Sequence, residues 1–329
     1  MATGTRGFVP VLHAATHDRP DEIDTLRAAE AVADALRSLG FATEIMGVDL
    51  DLRALEALPA RRPLTVFNLV DAVRGDGRLA PMIPAVLDGL GLAYTGAHTG
   101  AWLATLSKIT TKLQLAAYDL PTPAWSEEGE GLDAGARVVV KPVFEHGSLG
   151  MDDSSVVKGA DAARAIKERA LRWKTGHFAE SYIEGREFNL ALMERDGRPE
   201  LLPIAEIVFA GFDPRRPRIV GYDAKWTPDS AAYIGTPRRF GLEAVAPELA
   251  AKLKRQACAC WTCFGLTGYA RVDFRVDGHG TPFILEVNVN PCLSPDAGFA
   301  AAAASAGLTY AAMVGRIVQA SLGVLQATA

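Results

Sequence analysis

The stretch YARVDFRVDGHGTPFILEVNVNP, Tyr269 to Pro291, decides how this sequence is read. Two apolar runs, Tyr269 to Val276 and Pro282 to Val289, flank the turn-forming Asp277-Gly278-His279-Gly280 and predict a β-hairpin. Side chains alternate between the two faces of a strand. Arg271 and Asp273 therefore share a face, and so do Glu286 and Asn288. Closing the hairpin sets two carboxylates, one amide oxygen and one guanidinium side by side. Hard oxygen donors suit Mg2+, which keeps waters and takes phosphate oxygens as further ligands. The guanidinium suits a phosphoryl group or a developing oxyanion. Taken alone, the four residues fit equally well a solvated hairpin braced by salt bridges.

Upstream, Val138-Val139-Val140-Lys141-Pro142 predicts a strand ending in one ammonium, a point charge suited to a phosphate. The loop behind it, Phe144 to Gly150, holds Gly147, Ser148 and Gly150, and glycines let backbone N–H groups turn around an anion. His146 in that loop reads as a solvated histidine. No G-x-x-x-x-G-K-[ST] occurs, which excludes a P-loop. No G-x-G-x-x-G opens the first helix, which disfavours a dinucleotide fold.

Further out, strands at Phe8–Leu12, Phe41–Val48, Leu64–Leu69 and Ala93–Thr95 alternate with helices at Asp21–Leu36 and Ala80–Leu90. The apolar face of the first helix is Ile23, Leu26, Ala29, Val32, Ala33 and Leu36, and Gly40 ends it. Such alternation predicts a parallel sheet, an α/β unit over residues 1–97. One helical stretch from Ala101 to Tyr118, an extended link at Pro121 and Pro123, the strands Val138–Pro142 and Phe178–Ile183, and a helix at Ala160–Lys174 form an α+β unit, 98–184. The remainder, 185–329, holds the hairpin, strands at Glu187–Met193 and Leu202–Val208, and helices at Pro247–Cys263 and Thr309–Leu322.

The 329 residues are 49% hydrophobic and 22% charged, enough apolar content for a real core. The net charge of −5 argues against a nucleic-acid binder. Ala297–Ala304 falls short of the ~20 residues of a membrane span. No export signal is visible at Met1–Phe8, so the thiols are expected to be reduced and the protein cytoplasmic. On a helix Cys260 and Cys263 share a face that Cys258 does not, which favours core packing over zinc. Arg215-Arg216-Pro217-Arg218 reads as a solvated turn.

These residues carry a resemblance. The chain resembles ATP-grasp enzymes and, among them, the D-alanine–D-alanine ligases. The matching segments are Tyr94-Thr95-Gly96, Lys108 with Thr111-Lys112, Leu120-Pro121-Thr122-Pro123, Val139-Val140-Lys141-Pro142, Ser148-Leu149-Gly150, Tyr182-Ile183-Glu184-Gly185-Arg186-Glu187-Phe188, Tyr222-Asp223-Ala224-Lys225, Arg271-Val272-Asp273-Phe274, and Glu286-Val287-Asn288 with Pro291. They run in the family's order. The resemblance implies an N-terminal parallel-sheet substrate domain, a central lid and a C-terminal antiparallel-sheet catalytic domain. It implies ATP-dependent joining of a carboxylate to an amine through an acyl phosphate. Lys108 and Lys141 fall where the family contacts the ATP phosphates, Glu180 and Ile183 at the adenine hinge, Glu187 at the ribose, and Leu285 under the adenine. Asp273, Glu286 and Asn288 match a site for two Mg2+ ions, or Mn2+. Arg271 matches the guanidinium on the transferred phosphate, Lys225 the loop closing over the γ-phosphate, and Ser148 the loop that meets it. Small amino-acid or amine substrates and a homodimer are implied, with no nucleic acid and no membrane.

The departures touch the amino-acid pockets. The first strand leads into His13-Ala14-Ala15-Thr16-His17-Asp18 without the family's Gly pair. Glu22 stands near the acid that grips the first D-alanine, and equally suits a helix N-terminus. Trp226 stands where the family has Tyr, and an indole can only donate. The family's acceptor Ser becomes Ala297, leaving Ser294 or Asp296 to replace it, and Asp296 would favour an amine or cation. The expected function is a carboxylate–amine ligase whose pair need not be D-Ala/D-Ala. The alternatives are D-alanine–D-alanine ligase itself and a non-catalytic nucleotide-binding protein.

Overall fold

The computed structural model describes residues 6–15, 19–145 and 147–327. His146 and the second half of the turn expected from His13 to Asp18, Thr16 to Asp18, lie outside the described residues. Three sheets organise the chain.

Strands β1 (Val11–Ala14), β2 (Ile45–Val48) and β3 (Phe67–Asn68) form a parallel sheet in the order β2-β1-β3. Pairing begins at a parallel bridge between Phe8 and Ala42 but the continuous ladder starts only at Val11. Pro10 has no N–H to donate, so it interrupts the run expected from Phe8. The strand expected at Ala93–Thr95 is reduced to one bridge, Val66 with Tyr94. The helix Pro20–Ser38 opens with Pro in its first turn, and the Glu22 carboxylate accepts the Arg19 N–H at 3.2 Å. Its buried face holds Ala28, Ala29, Val32, Ala33 and Leu36, with the i, i+3/i+4 spacing of an amphipathic helix. Ile23, expected on that face, is 47% exposed and lines the cleft described below. The helix Tyr310–Ala327 returns to pack on this first helix, through Met313, Val314, Ile317 and Val318. Thr65 and Ser321 share a buried hydroxyl–hydroxyl bond of 2.9 Å. The two ends of the sequence therefore share one core.

The helical stretch expected from Ala101 to Tyr118 is two helices, Thr99–Leu106 and Lys108–Ala117. Ser107 between them is extended, and its hydroxyl accepts the Thr110 N–H at 3.3 Å, as a helix cap. The Lys108 N–H donates to the Val143 carbonyl at 2.9 Å, so the break ties the second helix to the neighbouring sheet. That sheet is antiparallel: β4 (Trp125–Ser126), β5 (Arg137–Pro142), β6 (Val156–Lys158) and β7 (His177–Ser181), ordered β4-β7-β5-β6. The helix Ala162–Trp173 covers one face, packing Ala162, Ala165 and Ile166 on Val138, Val140 and Ala179.

The third sheet comprises β8 (Arg186–Arg195), β9 (Arg198–Leu201), β10 (Ala205–Ile207), β11 (Arg238–Arg239), β12 (Tyr269–Val276) and β13 (Pro282–Asn288). Its order is β11-β10-β8-β12-β13, with β9 on β8, and all its pairs are antiparallel. Helix Pro247–Cys263 packs Leu253, Ala257, Cys260 and Trp261 against its core face, with Cys258 and Cys263 half-buried. Between β7 and β8 the chain turns at Gly185, φ +152°, where a Cβ would stand 2.0 Å from the Val276 carbonyl oxygen. Only glycine allows that approach. No single helix among the described residues is long and apolar enough to cross a membrane.

Candidate active site

The three sheets surround a cleft of about 510 Å³. The hairpin β12–β13 forms one wall. Its register sets Arg271 opposite Asn288 and Asp273 opposite Glu286. The Arg271 guanidinium donates to both Asp273 oxygens, at 2.8 Å each. From β8, Asn189 adds a third donor to Asp273 Oδ1 at 2.8 Å. Lys108 Nζ stands 3.4 Å from Glu286 Oε1 and donates to the Glu145 carbonyl. The Asn288 amide oxygen accepts the Asn290 N–H at 3.0 Å, which fixes its orientation. Two carboxylates and an oriented amide oxygen thus lie together on one sheet face. This all-oxygen donor set fits Mg2+, which needs few protein ligands when phosphate and water supply the rest.

The register slips after Asp273, so that Phe274 pairs with Ile284 and Leu285 is left over. This bulge turns Leu285 into the cleft beside Glu286, while Ile284 stays in the core. An apolar floor and a carboxylate then stand at adjacent positions, which strict alternation forbids.

Opposite, Glu180 on β7 is buried between two ammonium groups. Lys112 Nζ lies 2.6 Å from Glu180 Oε2, and Lys141 Nζ meets Oε1. Burial pushes the Glu180 carboxyl up, but the Lys112 and Lys141 charges outweigh it and hold it below the usual carboxylate range. Burial draws the Lys112 ammonium down against the pull of Glu180. Lys112 also donates to Thr122 Oγ1 at 2.7 Å, and Thr122 to the Ile284 carbonyl at 2.9 Å, which joins this cluster to the hairpin. Glu187 sits 3.4 Å from Arg275, and burial raises its carboxyl despite that guanidinium. Ile183 lines the cleft, and Lys225 does too, its ammonium drawn down by burial.

Two segments close over this space. Ser148, in the left-handed region at φ +61°, donates its hydroxyl to the Val220 carbonyl at 3.1 Å. The Trp226 indole donates to the Gly147 carbonyl at 2.7 Å, the one role an indole N–H can take. Tyr222 donates its hydroxyl to Asp21 at 2.8 Å, and Arg19 braces Asp21 at 2.9 Å and Glu22 at 3.4 Å. Glu22 is thus both the acid of a helix first turn and a cleft-lining carboxylate.

Near Asn288, of the two groups expected, Asp296 lines the cleft and Ser294 does not. Ser294 is buried and outside the cleft lining, its hydroxyl donating to Asp24 at 2.8 Å. Cys292 lines the cleft, but its thiol donates to the same carboxylate at 2.9 Å. Burial and Asp24 push that thiol up to about 12, so it is no nucleophile near neutral pH. Asp296 turns its carbonyl to Arg238 at 3.0 Å.

The residues expected to hold ATP, metal, the transferred phosphate and the donor, Glu22, Lys108, Lys141, Ser148, Glu180, Ile183, Glu187, Lys225, Arg271, Asp273, Leu285, Glu286 and Asn288, all line this one cleft. Sequence reading gave no site role to Lys112, Asn189, Asp21, Arg238 or Arg275; Asp21 was expected to cap the first helix, but Pro20 opens that helix, Arg19 is its cap and Asp21 lies in its first turn. Lys112 was detectable, because Lys108 and Lys112 are spaced i, i+4 and share a helix face. Asp21 and Tyr222 are 201 positions apart, and no local signal links them.

Known proteins resemble the chain in sequence and in fold. The D-ala D-ala ligase C-terminus family model matches residues 128–319. A D-alanine--D-alanine ligase of Gloeobacter violaceus is 31% identical, across 93% of this chain and 97% of the relative. That of Moorella thermoacetica is 30% identical, across 91% and 94%. An uncharacterized protein of Sinorhizobium fredii is 30% identical, across 89% and 86%. The crystal structure of the Bacillus anthracis D-alanine--D-alanine ligase complexed with ATP covers 98% of this chain and 100% of its own, with a TM-score of 0.76 at 20% identity, a likeness of fold. With over half its length matched by the family model and relatives at 30 and 31% identity along most of it, the chain has the ATP-grasp fold and belongs to the D-alanine–D-alanine ligase family of ATP-dependent carbon–nitrogen ligases.

Proposed function

We propose that the chain joins two amino-acid substrates, activating the carboxylate of one as an acyl phosphate and releasing ADP and phosphate. The observation that carries this is the convergence of Lys108, Lys141, Lys225 and Arg271 with Asp273, Glu286 and Asn288 on one cleft. Phosphoryl transfer is mostly positioning and charge neutralisation, and these groups supply both. Mg2+ on Asp273, Glu286 and Asn288, as one or two ions, would add charge neutralisation when bound. Lys108 and Lys141 grip the phosphates. Glu180 holds Lys141 in place, the backbone near Glu180 and Ile183 faces adenine, Leu285 lies beneath it and Glu187 takes the ribose.

A donor carboxylate oxygen attacks the γ-phosphorus, and the bond to the ADP oxygen breaks. The acceptor amine then attacks the acyl carbon, phosphate departs with its electron pair, and the amine loses a proton. Arg271 steadies first the transferred phosphate and then the tetrahedral oxyanion. Ser148 and Lys225 belong to the two segments that exclude water from the acyl phosphate. Glu22 receives the donor ammonium. In this reading residues 1–97 form the substrate domain, 98–184 the lid and 185–329 the catalytic domain. A cytoplasmic homodimer acting on small molecules accords with the family.

Phosphate release from ATP, measured with Mg2+ against a panel of D- and L-amino-acid pairs, tests the proposal. Stimulation by particular pairs, with the dipeptide as product, is expected. ATP binding without turnover on any pair would identify a non-catalytic nucleotide-binding protein instead.

A further inference from the structure

Cations in this cleft are met by carboxylates: Arg19 by Asp21 and Glu22, Lys108 by Glu286, Lys141 by Glu180, Arg271 by Asp273, and Arg275 by Glu187. Arg238 is different. It lines the cleft, and its guanidinium donates to one backbone carbonyl, that of Asp296. Among the described residues no carboxylate makes an ion pair with it.

The strand pairing explains the contrast with its neighbour. On β11 and β10, Arg239 stands opposite Glu206 and Arg238 opposite Ile207. Alternation sends the two arginines to opposite faces. Arg239 joins Arg186 in neutralising Glu206, at 2.8 and 2.7 Å. Arg238 turns with Ile207 towards the cleft, where Glu206 does not follow. The charged and titratable groups acting on it are Arg271, Tyr233, Asp296 and the protonated Cys292. It therefore lies on the Arg271–Cys292 side of the cleft. A Cβ on Gly298 would stand 3.1 Å from its Nε, so the guanidinium also abuts the first turn of helix Gly298–Ser305, which has no side-chain cap. Helix N–H groups there add positive potential.

A guanidinium on the same side of the cleft as Arg271, with no carboxylate at ion-pair distance among the described residues, is matched to a planar, bidentate anion. Resting on the ligase reading above, we infer that Arg238 is a specificity-determining residue: it binds the carboxylate of the amine substrate, so that the acceptor is an amino acid and not a bare amine or a cation. This reading sets Arg238, oriented by the Asp296 carbonyl, against the cationic acceptor that the Asp296 carboxylate alone would favour.

The test compares an acceptor amino acid with its carboxamide, at saturating ATP and donor, in the wild type, Arg238→Ala, Arg238→Gln and Arg238→Lys. The wild type should prefer the carboxylate in kcat/KM by about 10–100-fold, the scale of a charge-assisted hydrogen-bonding pair. Arg238→Ala and Arg238→Gln should lose that preference through acceptor KM, with the KM for ATP as the control. Arg238→Lys should recover part of it. Variants that keep the wild-type preference, or a wild type that treats acid and amide alike, overturn the inference. If no pair turns over, the ligase reading fails by itself. Calorimetric binding of the amino acid and its amide to the ADP–Mg2+ complex then decides: acid-selective binding lost in Arg238→Ala supports the role, and any other result removes it.

Discussion

Replacing Glu180 by Gln should strand a buried ammonium at a cost set by its burial and its distance from Glu180. Lys112 and Glu180 have side chains only 2% and 1% exposed, with 2.6 Å between their charged atoms. Removing one partner of a buried pair commonly destabilises by about 3–5 kcal/mol. A second route bounds that figure. Lys112 can escape by giving up its proton, and deprotonating an ordinary lysine at pH 7 costs about 4–5 kcal/mol. Both routes give the same magnitude, and the second has a signature. In the variant the folded chain would carry neutral Lys112 while the unfolded chain stays protonated up to about pH 10. The unfolded state then binds the extra proton, so the variant gains stability as pH rises, by about 1.4 kcal/mol per unit between pH 7 and 9. The wild-type contribution of Glu180 is flat over that window, because its lowered carboxyl is ionised well below it and this stability is lost only as pH falls through the folded pKa. Urea unfolding followed by tryptophan fluorescence is suited to the measurement, since Trp125 is the strand partner of Glu180. Glu180→Gln with Lys112→Met should recover most of the loss. A Glu180→Gln protein within about 1 kcal/mol of the wild type, with no change in that difference from pH 7 to 9, would refute the buried-pair reasoning.

Other outcomes follow from the cleft. Arg271→Ala should lower kcat by about 10²–10³-fold with a smaller change in ATP affinity, as expected for a group aimed at developing charge; equal turnover in both proteins would contradict its role. Tyr222→Phe removes the bond to Asp21 and should destabilise closure by about 1 kcal/mol, read as faster limited proteolysis near Arg215–Arg218 and a higher KM for the donor. Cys292→Ser should stay active, and iodoacetamide at pH 8 should leave Cys292 largely unmodified because its thiol is pushed up to about 12; rapid alkylation there would show that Asp24 does not hold the proton.

Much of the site is legible wherever the chemistry is local. The pairs Arg271/Asp273 and Glu286/Asn288 could be placed on shared faces because strand periodicity is a property of the backbone. Lys141 could be set at a strand end for the same reason. The helix at Pro247–Cys263 was legible from its N-terminal Pro and its apolar spacing. Ser107 marks the boundary of such reasoning. Its residue type suits a cap, yet an apolar run continues on both sides, and the Lys108 N–H bond to Val143 selects the break.

Shared strand faces, the approximate extents of most helices and the ordered motifs of the ligase family were readable from the chain alone, because each depends on neighbours within a few positions. Which charges meet was set by the folded arrangement. Glu180 became a clamp between Lys112 and Lys141, Ser294 was withdrawn onto Asp24, and Tyr222 reached Asp21. The bulge that exposes Leu285 and the turning of Arg238 away from Glu206 are likewise products of strand pairing. Coulomb and hydrogen-bond energies fall off over a few ångströms, so they are set by distances in space that separation along the chain does not encode.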